Sequence, residues 1–164
     1  MKFEFEQRFA HPVQEVEQAL LDVGFIGGMA TLPKLGAPEV LSREVSGPVV
    51  SMRVRYAFAG EVSGAVRRVV DPARLTWVEE STTDTGSHTA TFRIVPDHYG
   101  MLLRCDGSYT LAATGDGSVR VARGDVRVNV PVVGSKVERV ILSGMQEHAQ
   151  AEADLVDHWL AGHS

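Results

Sequence analysis

Two side chains near the end of the chain carry the most chemistry. His148 and Glu152 stand four apart in a stretch that runs without proline from Ser135. At helical spacing such a pair meets on one face. That face is the apolar one, because Val137, Ile141, Met145, Leu155 and Trp159 fall in the same direction around a helix. An imidazole beside a carboxylate can act as a general base. It can equally be a satisfied hydrogen-bonded pair in a core, or the polar contact of a ligand in an apolar cavity. The carboxylate favours imidazolium and burial opposes it, so the sequence leaves the charge of His148 open. Gly144 lies on the edge of the same stripe, where it either packs closely or leaves room for a ligand. His158 falls well off the stripe and no second histidine lies four residues from His148, so the expectation is no bound metal and no other cofactor.

Further polar points come from runs that alternate with period two. Tyr56 shares a face with Met52, Val54 and Phe58, and Trp77 shares one with Glu79. His88 goes with Phe92 and Ile94, and Tyr109 with Cys105 and Leu111. Each fits a plain core position as well: a buried tyrosine hydroxyl needs only one partner, and Cys105 can serve as a small hydrophobe. The candidate ligand-binding wall is therefore Tyr56, Phe58, Trp77, Phe92 and Tyr109, facing Ile141, Met145, His148, Glu152 and Trp159. In a catalytic version His148 is the base, Glu152 orients it and Tyr109 supplies a proton. Arg53, Arg55, Arg67, Arg68, Arg120, Arg123 and Arg127 are scattered among acids and read as a solvated outer face.

The elements that must position these residues are legible in outline. Residues 2–9 alternate strictly, with Phe3, Phe5 and Phe9 on one side of a strand. Pro12 suits a first helical position, and Val13, Val16, Leu20 and Val23 recur at helical spacing, so the expectation is a helix over 12–22. A second short helix fits 25–35, with Pro33 and Gly36 marking its end, and a third fits 63–70. Strands are expected over 39–45, 49–58, 75–81, 88–95, 101–113 and 119–130, with a bulge at Gly124 where the alternation changes phase. Ser135 and Glu138 have the spacing of a capping box, opening a helix over 135–161 about 40 Å long.

The chain has 164 residues, 16 Lys and Arg, 21 Asp and Glu, and a formal charge of −5. That length predicts one domain over 1–164. Hydrophobic content of 44% and charged content of 23% argue against disorder. The acidic balance argues against a nucleic-acid partner. No apolar run reaches the roughly 20 residues of a membrane span, so no stable membrane insertion is expected. Cys105 is the one cysteine, which excludes an intrachain disulfide and agrees with a cytoplasmic location. Nucleotide-loop, nucleophile-elbow and zinc-protease motifs are absent.

The order of strand, short helices, six strands and long terminal helix resembles the helix-grip fold of the START, birch-pollen-allergen and polyketide-cyclase superfamily (SRPBCC). The Phe3-x-Phe5 strand, the His11-Pro12 helix start, residues 63–70 and the Pro131-Val132-Val133-Gly134-Ser135-Lys136-Val137-Glu138 segment resemble an actinobacterial branch of unknown function. The resemblance implies an α+β architecture in which a curved seven-stranded antiparallel sheet wraps a long C-terminal helix, with a cavity between them. It implies binding or carriage of a small hydrophobic or amphipathic molecule, lipid- or polyketide-like. The alternative is a cyclase or dehydratase acting on a polyketide-like carbonyl compound, and a third reading is a filled core acting through its surface. The fold alone does not choose among them.

Overall fold

The computed structural model describes residues 1–32 and 34–163. Strand β1 spans Lys2–Phe9, and helices α1 (Val13–Leu20) and α2 (Val23–Gly28) follow, the latter running into a 3-10 turn at Met29–Thr31. Then come β2 (Glu39–Ser46), β3 (Val49–Ala57), α3 (Gly64–Arg67) and a 3-10 turn at Pro72–Arg74. The chain continues through β4 (Thr76–Asp84), β5 (Thr89–Pro96), β6 (Leu103–Thr114) and β7 (Gly117–Val128) into helix α4 (Gly134–Gly162). The seven strands form one antiparallel sheet in the order β1-β7-β6-β5-β4-β3-β2. Helix α4 rests on β1, β7 and α1. The architecture is α+β, the helix-grip arrangement.

Apolar packing divides into two clusters along α4. One gathers Phe25, Ile26 and Met29 with Met52, Val54 and Tyr56 of β3 and with Ala153 and Val156 of α4. The other centres on Phe92, Cys105 and Val126, flanked by Ile141, Leu142 and Met145. The second half of α4 is thus clamped between α1, α2 and the sheet, while its first half roofs the concave face.

Gly124 contains no bulge. Register runs unbroken from Lys2↔Asp125 to Phe9↔Ser118 and from Leu103↔Val128 to Thr114↔Gly117. The irregularity falls instead in β2, between Val40 and Ser42. Gly124 is glycine because the sheet closes upon it: a Cβ there would meet the Asp106 carbonyl oxygen and lie 2.6 Å from the Phe3 ring. Its cross-strand partner Gly107 is covered in the same way by Phe92, whose ring would lie 2.9 Å from an added Cβ. The paired glycines let β6 and β7 bend under two aromatic rings.

The capping box is also absent. Val133 is the N-cap of α4 and no side chain caps it. Glu138 turns back to the sheet and accepts a hydrogen bond from the Val128 N–H at 3.1 Å. Side-chain caps are found elsewhere, at Asp22 for α2 and at Ser63 for α3. Pro12 is the cap of α1 rather than its first residue, and α3 covers only part of 63–70. Pro33, expected to mark a helix end, lies outside the described residues. His88 has φ of 57° and belongs to the β4–β5 turn rather than to a strand.

These differences carry consequences for stability. Gly124→Ala should lower the denaturation midpoint by the equivalent of about 1–3 kcal/mol, the usual range for overpacking. Ser135→Ala, on an exposed residue that caps nothing, should change it by no more than about 0.5 kcal/mol.

Candidate functional site

A cavity of about 470 Å³ lies between the sheet and α4. Its wall is largely apolar, built from the inward-facing residues of β3 to β6 and the first half of α4. Tyr56 stacks on Trp77 with ring centroids 6.0 Å apart, as their direct cross-strand pairing requires. Phe92 stacks on Tyr109 at 4.7 Å. Tyr56, Phe58, Trp77, Phe92, Tyr109, Ile141, Met145, His148 and Glu152 all line the cavity, with Glu79, His88 and Cys105. Gly144 lines it too, and a Cβ there would meet nothing within 4 Å, so this glycine leaves room rather than packing closely.

Trp159 does not line the cavity. Its ring meets Phe25 edge-on at 5.8 Å and stacks on His163 at 4.1 Å, which locks the end of α4 against α2. The helical wheel placed it on the stripe correctly. Beyond Glu152, however, that stripe meets packed core instead of open space.

The polar end of the cavity is a cluster around Glu152. One carboxylate oxygen accepts from Arg120 Nη1 and from Gln7 Nε2, both at 3.0 Å. The other lies 3.7 Å from His148 Nε2, an ion-pair distance rather than a hydrogen bond. Gln7 also donates to the Ala149 carbonyl at 2.8 Å, and Arg120 Nη1 reaches the Gln7 amide oxygen at 3.2 Å. The Arg120 guanidinium covers the Tyr109 ring, 3.6 Å from its centroid, a cation–π contact. Arg120 is thus an interior residue, against the expectation of an outer-face arginine. The remaining outward arginines are mostly paired, Arg53 with Glu80, Arg55 with Asp97 and Arg123 with Glu4.

Arg120 was missed for one reason, and Gln7, already on the inward phase of β1, was missed for want of its partner. A bulge at Gly124 would invert the phase of every residue before it. Without that bulge Arg120 is in phase with Ala122 and Val126, both buried, and it sits directly opposite Gln7. Gln7 in turn shares the inward face of Phe3, Phe5 and Phe9.

The cluster sets the charges of its members. Burial alone would raise Glu152, but His148 and Arg120, with the Gln7 hydrogen bond, hold its carboxyl at about 2. Burial pulls His148 down, yet the Glu152 carboxylate outweighs it, with help from Glu79, and its pKa is raised. Glu79 is raised by burial and by the neighbouring Glu152 charge, towards the neutral acid. Burial raises Tyr56 and Tyr109 as well, so both remain neutral phenols. Burial likewise pushes the Cys105 thiol up to about 12, which leaves it unreactive. One atom has no partner: His148 Nδ1 is buried and makes no hydrogen bond among the described residues.

Strand order and the long terminal helix, with the cavity between them, define the helix-grip fold. The chain belongs to the protein family of unknown function DUF2505, whose sequence pattern matches residues 4–160. Three solved structures show the fold at low identity. TTHA0849 from Thermus thermophilus is 18% identical with a TM-score of 0.72, over 100% of this chain and 99% of that one. The Zhui aromatase/cyclase from a Streptomyces species is 15% identical with a TM-score of 0.63, over 96% and 92%. A point mutant of norcoclaurine synthase from Thalictrum, in complex with a transition-state analogue, is 16% identical with a TM-score of 0.64, over 99% and 95%. No curated protein matches the chain in sequence.

Arg120→Met should strand the Glu152 charge and cost about 3–5 kcal/mol in denaturant unfolding, as for other buried pairs broken from one side. The pH dependence of stability has a definite sign. Glu152, lowered on folding, stabilises above its ordinary value of 4.5, and that contribution disappears as pH falls towards about 2. His148, raised on folding, stabilises below its ordinary 6.5 and loses that contribution as pH rises beyond it. Melting temperature should therefore fall on the acid side through the Glu152 window, and Glu152→Gln should flatten that limb.

Proposed function

We propose that this protein binds or carries a small, largely apolar molecule, lipid- or polyketide-like, with one polar group held at the Glu152 end of the cavity. The observation that carries the reading is His148 Nδ1, a buried polar atom without a partner beside an apolar cavity of about 470 Å³. Buried polar atoms are almost always satisfied, and a hydroxyl or carbonyl on the ligand would satisfy this one. Glu152 lies beside Nε2 and favours the proton there, which leaves Nδ1 as the ring atom in need of a partner. Pockets of this size are typically apolar with a few placed polar groups. A cytoplasmic setting agrees with the single cysteine.

The runner-up is a cyclase or dehydratase acting on a polyketide-like carbonyl compound. Its support is that His148, Glu152 and Tyr109 line one cavity, and two of the structural neighbours are enzymes by name. The upward shift of His148 weighs against it. Against the pull of burial, Glu152 and Glu79 favour the protonated imidazole, the form that donates rather than accepts a proton.

The test uses a naphthol and the matching methylnaphthalene as probes, by displacement of anilinonaphthalene sulfonate. Wild type should prefer the naphthol about five- to tenfold, the worth of one hydrogen bond. His148→Leu should lose that preference while melting near the wild-type temperature, because Glu152 keeps Arg120 and Gln7. A large drop in melting temperature with unaltered probe binding would make His148 structural and end the reading.

A further inference from the structure

The cavity lining includes a collar of valines, of which Val69 and Val140 are exposed at the surface. Val66 and Val69 come from α3 and its exit, Val133 from the β7–α4 loop, and Val140 from α4. Apolar side chains continue outward from that collar. Met101, beside the cavity-lining Leu102, is 93% exposed, and Val132, beside Val133, is fully exposed. The two loops are tied by a hydrogen bond from the Asn129 N–H to the Leu102 carbonyl at 2.7 Å. Val132 has φ of 70°, a conformation that β-branched residues rarely adopt. It is held there with its side chain in solvent.

The charge around this mouth is unlike that of the rest of the surface. The exposed side chains of Arg67, Arg68, Arg74, Lys136 and Arg139 have no hydrogen bond or ion pair among the described residues. All of them stand on the mouth segments, 67–74 or the first turns of α4. Elsewhere the Lys and Arg side chains are engaged, Lys2 apart: Arg93 with Glu80, Arg127 with Asp125, Lys34 with Glu147, Arg43 with the Leu21 carbonyl. The nearby Glu138 is occupied by the Val128 N–H, and Glu61 and Asp71 are the exposed acids of the α3 region. A chain with a net charge of −5 thus gathers its unpaired positive charge around its exposed apolar mouth.

We propose that this face docks on an anionic bilayer surface, with Met101 and Val132 among the headgroups and the cations against lipid phosphates. Apolar tips within a basic ring are the chemistry of interfacial binding, and the cytoplasmic leaflet is anionic. No helix among the described residues is long and apolar enough to cross a membrane, so the contact is peripheral. Docking would let an apolar ligand pass between bilayer and cavity without crossing water. That consequence rests on the ligand reading above; the docking itself does not.

The experiment is flotation of the full chain with vesicles of phosphatidylcholine alone and of phosphatidylcholine with an equal part of phosphatidylglycerol. Wild type should float with the anionic vesicles only and be released by high salt. Met101→Asp with Val132→Asp should stay behind. Arg67→Ala with Arg68→Ala should partition about twenty-five-fold more weakly, at about fivefold per cation. Both variants should keep wild-type anilinonaphthalene sulfonate binding, which shows that fold and cavity are intact. Failure of wild type to float with anionic vesicles, or flotation of the aspartate variant like wild type, overturns the proposal. So does a concentration-dependent dimer abolished by Met101→Asp, which would assign the face to a second copy of the chain. Loss of probe binding with flotation intact would count against the ligand reading alone.

Discussion

The Glu152 carboxylate constrains the interior, because an ionised carboxylate taken from water costs several kcal/mol unless it is paired and hydrogen-bonded. Three elements answer that requirement. Strand β1 sends Gln7, β7 sends Arg120, and α4 itself supplies His148 one turn earlier. Gln7 then holds the helix backbone through the Ala149 carbonyl. The cluster works as a polar rivet that fixes the height of α4 above the sheet, at the boundary between the packed and the open halves of the concave face. Because Arg120 also covers Tyr109, the rivet orients one aromatic wall of the cavity.

The open half exists because packing is unevenly distributed along α4. Small residues at Ala149 and Ala153 bring the helix close to the core, where Val156 is fully buried. Towards the start of the helix Ile141, Met145 and Gly144 do not fill the space over β4 to β6. The sheet supplies the remaining depth by its curvature, made possible where Gly107 and Gly124 meet beneath Phe92 and Phe3. Cavity and rivet belong together. A polar cluster this large is tolerated beside space that water or a polar ligand group can enter.

Most of the fold could be read from the sequence, since strand alternation and the proline-free terminal helix are strong periodic signals. The His148–Glu152 pair was legible for the same reason, being polar on an apolar stripe. Two local patterns misled. Val119 and Val121 look like core residues but face outward on β7, so a phase change read at Gly124 puts Arg120 outside. Ser135 and Glu138 have capping-box spacing, but the Val128 N–H at the strand end competes for the same carboxylate and takes it. Both are decisions made by tertiary partners outside the local pattern. Trp159 marks the same limit: periodicity gives the face of a helix but not where the neighbouring core stops.

The central claim is that the space beneath α4 is kept for a molecule that completes His148. Native mass spectrometry of freshly purified protein tests it most directly. The account predicts species heavier than the polypeptide, with the excess lost on denaturation, or stoichiometric uptake of an added apolar alcohol by protein that emerges bare. A bare polypeptide mass that stays unchanged in the presence of such an alcohol would contradict it.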